Sequence, residues 1–328
     1  MFRLSLAILA LIICLCAVAT VATAAAGQYR RTGTFAVVLT LCLALGWFPL
    51  RPAIEPAYPT SYYAPSEPYA AASIVRGAAL YTDNCAFCHG ASGHGDGPVA
   101  ASLPIWPADL TQPHLFAHST GDLFWWVSHG MDEGVMPAFA DVLSPNRRSN
   151  VINFVRARAA GVLAGEIGPE VTTATSPEVP DFAFETGDRQ STLAQMLETG
   201  PVLLVLFEPP APIERRQQLT TVQVPFSNVS LRVVAVGLVA PSEGASERRA
   251  APPCVVDVTS EVISTLTLFR AVEDGGETEL MLDRGANVRA RWTSAMHGGL
   301  PSPVTLIATA QRVARIALAA PSHASHPH

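Results

Sequence analysis

The stretch NCAFCHGASGHGDGP, residues 84–98, places Cys85 and Cys88 three positions apart with His89 directly after them. Two thiols at this spacing can form a disulfide, hold a metal, or add to the vinyl groups of a porphyrin whose iron the adjacent imidazole ligates. A thioredoxin-type redox pair follows a strand and opens a helix, whereas the preceding run AASIVRGAALYTDN reads as helix. A structural zinc site needs a second ligand pair, which Cys14, Cys16, Cys42 and Cys254 do not supply. The pattern therefore predicts one covalently attached haem c, with His89 as an axial ligand to its iron.

An electron carrier fills the opposite iron position as well, and a methionine there raises the potential. Downstream, HGMDEGVMPAFADVLS offers three candidates. Met136 is preferred because Pro137 fixes the backbone beside it and removes a competing donor. Met131, on a glycine-flanked turn, is the rival, and His129 is the third. His94, His114 and His118 read as solvent-facing loop residues, and Phe124, Trp125 and Trp126 as haem cover or core.

Two helices must position this site. Gly77 and Tyr81 lie four apart on one face of the first. Val151, Phe154 and Val155 form the apolar face of the second, which Ser144 caps and Pro145 opens. With RGAALYTDNCAFCHGASGHGDGP, GDLFWWVSHG, MPAF and LSPNRRSNVINFVRARA, residues 73–163 resemble a small class I cytochrome c domain. The resemblance implies an all-α fold, thioether bonds at Cys85 and Cys88, and iron ligation by His89 and Met136. It also implies that the carbonyl of Pro98 accepts the ring N–H of His89 and orients it.

Upstream, 4–26 and 34–50 are apolar runs separated by GQYRRTG. Read as two transmembrane helices, they make residues 1–51 a hairpin anchor whose Arg30 and Arg31 face the cytoplasm. The rest of the chain would then lie on the periplasmic side of a bacterial inner membrane. Cleavage of the first run as a signal, or a single anchor with a buried second segment, are the alternatives. Residues 52–72 are proline-rich and read as a stiff linker. The anchor, linker and haem segment together resemble the C-terminal part of copper-resistance-D-type membrane proteins fused to a cytochrome c, although only two of their helices are kept here.

GEIGPEVTTATSPEVP, 165–180, has the composition of a linker, and 164–179 reads as the second linker. After it, PVLLVLF and LRVVAVGLV are continuous apolar runs suited to a sheet covered on both faces, with helical stretches between. TELMLDRGANVRARW and SPVTLIATAQRVARIAL each read as two strands broken by a turn. The order over 180–320 resembles a thioredoxin-like α/β domain, with Pro303 or Pro301 as its cis-proline. Where that family carries its dithiol, this chain has FEPPAPIERR. Cys254 stands alone, so dithiol exchange has no attacking and resolving pair. The tail 321–328 holds His323, His326 and His328.

The net charge of −6 is mild and unclustered, which argues against a nucleic-acid partner. The reading that follows is a multidomain, membrane-anchored periplasmic electron carrier serving redox protein partners, with a redox-inactive docking domain and no substrate-turnover site. Its rivals are a haem-based ligand sensor or peroxidase, which needs an open iron, and a copper-handling accessory protein with copper partners.

Overall fold

The computed structural model describes residues 16–34, 36–39, 60–174, 176–186, 189–208, 215, 217–219, 231–238, 255–270, 276–296 and 299–316. The chain divides into two compact units, Met1–Pro59 and Thr60–His328. In the first, residues 16–25 are helical, the chain turns at 26–27 with Gly27 at φ +70°, and helix resumes at 29. The expected transmembrane hairpin is corrected here: no helix among the described residues is long and apolar enough to cross a membrane. The described helix of the first run covers only 16–25, and the helix after the turn carries Arg30 and Arg31 among its residues. Residues 4–15, 35 and 40–50 of those runs, with Cys14 and Cys42, lie outside the described residues.

The second unit opens with residues that the linker reading treats as a spacer, yet part of 60–70 is held against the helices. The Tyr63 ring stacks on Phe124 at 4.2 Å and its hydroxyl lies 3.0 Å from Ser149 Oγ. Four helices follow: α1 (Ala71–Asn84), the single turn α2 (Ala86–His89), α3 (Thr120–His129) and α4 (Pro145–Glu166). Ser144 Oγ accepts from the Arg147 N–H and Pro145 sits in the first turn of α4, as expected. Ser119 and Asp122 form a reciprocal capping box at α3.

Helices α1 and α4 meet at Gly77. A Cβ there would lie 2.0 Å from the carbonyl oxygen of Asn150, so only glycine allows this approach. Beside the contact, Ser73 donates to Asn150 Oδ1 at 2.8 Å and Asn153 Nδ2 donates to Ser73 Oγ at 2.7 Å, which satisfies a buried polar cluster.

The rest of the unit is an α/β domain. A hairpin, β1 (Ala183–Thr186) and β2 (Arg189–Thr192), leads into α5 (Leu193–Glu198). The main sheet is built from β3 (Val202–Phe207), β4 (Arg232–Gly237), β5 (Val255–Val256), β6 (Thr278–Leu282) and β7 (Val288–Thr293). Their order is β5-β4-β3-β6-β7, with β3, β4 and β5 parallel and β6 and β7 antiparallel. Helix α6 (Ser260–Leu266), a short turn at Thr267–Phe269, and α7 (Pro303–Ala314) cover it.

Every residue of β3 is buried, as its unbroken apolar run implies. Alternate side chains serve opposite faces: Leu204 and Leu206 join α6, whereas Leu203 and Val205 join Leu306, Ala310 and Val313 of α7. One expectation fails here. SPVTLIATAQRV is one helix, not two strands, and Pro303 stands in its first turn behind the Ser302 cap rather than before a strand. The apolar spacing Leu306, Ala310, Val313 is helical, and the β-branched run at its start obscured that.

The helical and α/β parts share one core. Ala160 and Ala164 of α4 pack with Leu204, Leu266 and Phe269. A Cβ on Gly161 would lie 2.0 Å from the Leu268 carbonyl oxygen. The second expected linker is also pinned: Thr172 N–H donates to Arg289 O, and Val288 N–H donates to Pro177 O. The domains are thus held by packing and not joined by a free tether. Replacing Gly161 with Ala should force α4 off the Leu268 turn and cost about 1–3 kcal/mol. Thermal unfolding of the variant checks this, and an unchanged midpoint would contradict the close approach.

Candidate haem site

The thiols are placed by the end of α1. The Cys85 N–H donates to Tyr81 O at 2.8 Å, continuing the helix, and α2 then turns Cys88 and His89. Gly90 closes that turn at φ +76°, and the Tyr81 hydroxyl donates to its carbonyl oxygen at 2.8 Å. Both cysteines are free of disulfides. Burial, with Cys88 adding to it, pushes the Cys85 thiol up to about 12. A thiol in that state is a poor partner for thiolate exchange, which agrees with the sequence argument against a dithiol pair.

His89 Nδ1 lies 3.0 Å from the carbonyl oxygen of Ala108. A carbonyl can only accept, so Nδ1 carries the proton and Nε2 keeps its lone pair. Burial holds the imidazole pKa below its ordinary value, against the opposing pull of the Ala108 bond, so the ring is neutral. A neutral imidazole with one nitrogen tied to a carbonyl is the form that ligates a metal.

The expected partner was Pro98, and the structure corrects this. Gly97 N–H donates to Cys88 O and Val99 N–H to Phe87 O, which folds the Pro98 segment back along α2 and leaves Pro98 exposed. Ala108 arrives instead because two loops pack tightly. Leu110 N–H donates to Gly93 O at 2.7 Å, and a Cβ on Gly95 would lie 2.3 Å from Pro107 O. Nothing in the local sequence marks that carbonyl; only the closure of the loops selects it.

Cys85, Cys88 and His89 line a cavity of about 340 Å³ that Met131 and Met136 also line. Its walls are mostly apolar, with Leu123, Trp126, Val151 and Val155 among them. The two methionines are paired across a tight loop: Met131 N–H donates to Met136 O at 3.1 Å, and Met136 N–H to Met131 O at 3.3 Å. Asp132 and Glu133 at its tip have positive φ. Met136 is half-buried and Met131 more exposed. His129 is not among the lining residues; its ring stacks on Trp125 at 3.5 Å.

His114 and His118, read from sequence as solvent-facing, also line the cavity, and His118 packs edge-on to Trp126 at 4.7 Å. His94 is exposed, with Nδ1 3.1 Å from Thr111 Oγ1. The donor set of two thiols, a neutral imidazole and thioethers around an apolar cavity fits a covalently held haem.

The α/β domain carries a buried ionic cluster where β6 meets the helical residue Arg215. Arg215 donates to Glu279 Oε1 from Nε at 2.8 Å and from Nη2 at 2.5 Å, and to Pro301 O from Nη1 at 2.8 Å. Glu277 Oε1 lies 3.9 Å from Arg215 Nε. The second carboxyl oxygens of Glu277 and Glu279 are buried with no hydrogen-bond partner. The segment 209–214, Cys254 and the tail histidines lie outside the described residues. Among the described residues no group of three or more His, Cys, Asp or Glu could hold a metal ion.

The family model for cytochrome c oxidase, cbb3-type, subunit III matches residues 72–155, so this part of the chain is a cytochrome c domain. Such a domain implies covalently bound haem. No curated protein matches the chain. Among solved structures it is similar to the Kuenenia stuttgartiensis reducing HAO-like protein complex Kustc0457/Kustc0458. That match is 30% identical, covers 31% of this chain and 49% of the other, and has a TM-score of 0.26. The chain thus spans about half the length of that relative.

The α/β part has thioredoxin-like neighbours. One is a putative thiol:disulfide interchange protein DsbE from Chlorobium tepidum, 17% identical over 44% of this chain and 100% of that one, TM-score 0.33. Another is BsSco, a member of the Sco family of cytochrome c oxidase assembly proteins, 11% identical over 43% and 95%, TM-score 0.33.

Two outcomes are expected. Haem should stay with the protein through acid–acetone extraction when either Cys85 or Cys88 alone is changed to Ala, and be extracted when both are; retention in the double variant would contradict thioether attachment. The second concerns the ionic cluster. Burial pushes the Glu279 carboxyl up to about 7, with Arg215 pulling down and Glu277 adding to the rise. The folded protein therefore binds this proton more tightly than the unfolded chain, whose value is near 4.5. Stability from this group is full below that value and is lost as pH rises toward 7, at up to roughly tenfold in the unfolding constant per pH unit. Denaturant titrations across this window should show the loss, and Glu279→Gln should flatten it.

Proposed function

We propose that this protein is a monohaem c-type cytochrome that passes single electrons between redox protein partners and does not turn over a substrate. In this reading Cys85 and Cys88 would hold the haem, His89 and Met136 would ligate its iron, and the α/β domain is a docking or positioning module without dithiol activity. The observation that supports it most is the single apolar cavity bearing both thiols and His89 together with Met136.

Bound haem supplies a one-electron iron couple. The chain's own residues do the rest. The Ala108 carbonyl holds the imidazole in one tautomer and one orientation, and the apolar walls keep water off the group, which favours the less charged form of the iron centre and raises the potential. Tyr81, through its bond to Gly90 O, fixes the turn that carries His89.

A second reading has its own support. His114 and His118 line the same cavity, and a histidine beside an open iron could serve ligand sensing or peroxide cleavage.

Absorption spectra of the haem-loaded full chain separate the two. The carrier reading expects a low-spin spectrum with the weak sulfur-to-iron charge-transfer band, lost in Met136→Ala and kept in Met131→Ala. A high-spin spectrum, or one that shifts readily with carbon monoxide or cyanide, would overturn it in favour of the open-iron reading.

A further inference from the structure

Ala108 presents the carbonyl that orients His89, yet it is exposed and has no polar side chain with which to hold itself. The groups that fix it must lie beside it, and the next residue supplies them. Asp109 Oδ1 accepts from the Thr111 N–H at 2.8 Å and from Thr111 Oγ1 at 2.6 Å. Its Oδ2 accepts from Gln112 Nε2 at 3.0 Å. A carboxylate that takes donors from two and three positions on closes a turn and fixes the backbone on which it stands.

His94 ties this turn to the loop that leaves His89. The Thr111 hydroxyl gives its one proton to Asp109, so it accepts from His94, whose Nδ1 lies 3.1 Å away and 3.4 Å from Asp109 Oδ2. On either side of His94, Gly93 O accepts from the Leu110 N–H at 2.7 Å, and the Gly95 N–H donates to His89 O at 2.9 Å. The contacts form a closed ring: from His89 to the His94 loop, across to buried Thr111 and Asp109, and back through Ala108 O to His89 Nδ1. Burial opposes the Asp109 charge, but the bonds from Thr111, Gln112 and His94 outweigh it and hold the carboxyl below the usual carboxylate range. His94, Asp109 and Thr111 are not among the residues lining the cavity, whereas Ala108 and His89 are. Whatever the cluster does for the iron, it does through those two.

We propose that Asp109 is a positioning residue of the haem site: with Thr111 and His94 it holds the Ala108 carbonyl on His89 Nδ1 and so sets how strongly that ring donates to iron. The inference rests on His89 being an iron ligand, as in the reading above, and adds what governs that ligand. A ring whose Nδ1 proton is drawn toward a carbonyl is the stronger donor and stabilises oxidised iron. Freeing the carbonyl weakens the donor and raises the potential.

The test uses the haem-loaded full chain with isotope-labelled histidine. In the reduced protein, nuclear magnetic resonance follows the His89 Nδ1 proton and its exchange with water; a redox titration gives the midpoint potential. Asp109→Ala should speed that exchange, and raise the reduced-to-oxidised ratio at a fixed poise, each about two- to tenfold, the worth of one hydrogen bond. Asp109→Asn keeps an acceptor for Thr111 and should fall between Asp109→Ala and the parent. Thr111→Val removes one donor and should move both readouts the same way by less. Gly161→Ala strains the junction with the α/β domain and should lower stability while leaving both readouts at parent values. Parent-like exchange and potential in both Asp109 variants overturn the proposal, as does an equal shift in Gly161→Ala. Should Asp109→Ala yield no haem protein, Asp109→Asn and Thr111→Val decide it. A parent with no imidazole resonance shifted by the haem ring would mean that His89 is not the ligand, and both the site reading and this role fail. With that resonance present and the variants like the parent, the Asp109 role alone fails.

Discussion

The contact of Gly77 with the Asn150 carbonyl is the constraint on which the rest depends. It lets α1 and α4 meet at backbone distance, and the Ser73, Asn150 and Asn153 cluster locks their register. With that register set, the end of α1 delivers Cys85, and Val151 and Val155 of α4 face the same cavity. The opposite stretches of the same helices are then free to serve the α/β domain. One helix pair thus acts as a beam, with a redox site at one end and a second domain at the other.

That second domain is part of the same solid. The small residues Ala160, Gly161 and Ala164 admit the Leu268 turn against α4, and the chain between the domains is fastened along β7. A domain so attached cannot swing toward the haem cavity without breaking a shared core. Its own interior keeps an arginine and two carboxyls where neutralisation is incomplete. Buried ionic groups of this kind are costly and contribute little net stability, so their effect shows in pH dependence more than in strength.

The site's chemistry is governed by placement. His89 is an effective ligand only as a neutral ring; burial favours that form, and the Ala108 carbonyl selects the tautomer that frees Nε2. The Met131–Met136 loop brings two thioethers to one cavity, and the backbone pairing that does so also presents Asp132 and Glu133 to solvent.

Much of this was legible in the residues. Cys85, Cys88 and His89 are adjacent in sequence, so their chemistry needs no fold to be recognised. Ser144 with Pro145, and the unbroken apolar run of β3, are local signals that local structure obeys. The misreadings share a cause. Pro303 reads as a strand neighbour in the sequence because a short apolar run has no unique period, yet it opens a helix. The apolar runs before residue 51 read as spanning helices on hydropathy alone, whereas no described helix there is long and apolar enough to span. Resemblance points to Pro98 as the partner of His89, but which carbonyl faces the ring depends on loops closing between Gly93 and Leu110. The sequence by itself determined the Cys85, Cys88 and His89 motif of the cytochrome c domain, since its spacing is a one-dimensional property. The tertiary structure alone decided which carbonyl orients the histidine, which residues line the cavity, and that both domains share one core, because those contacts join residues that only packing brings together.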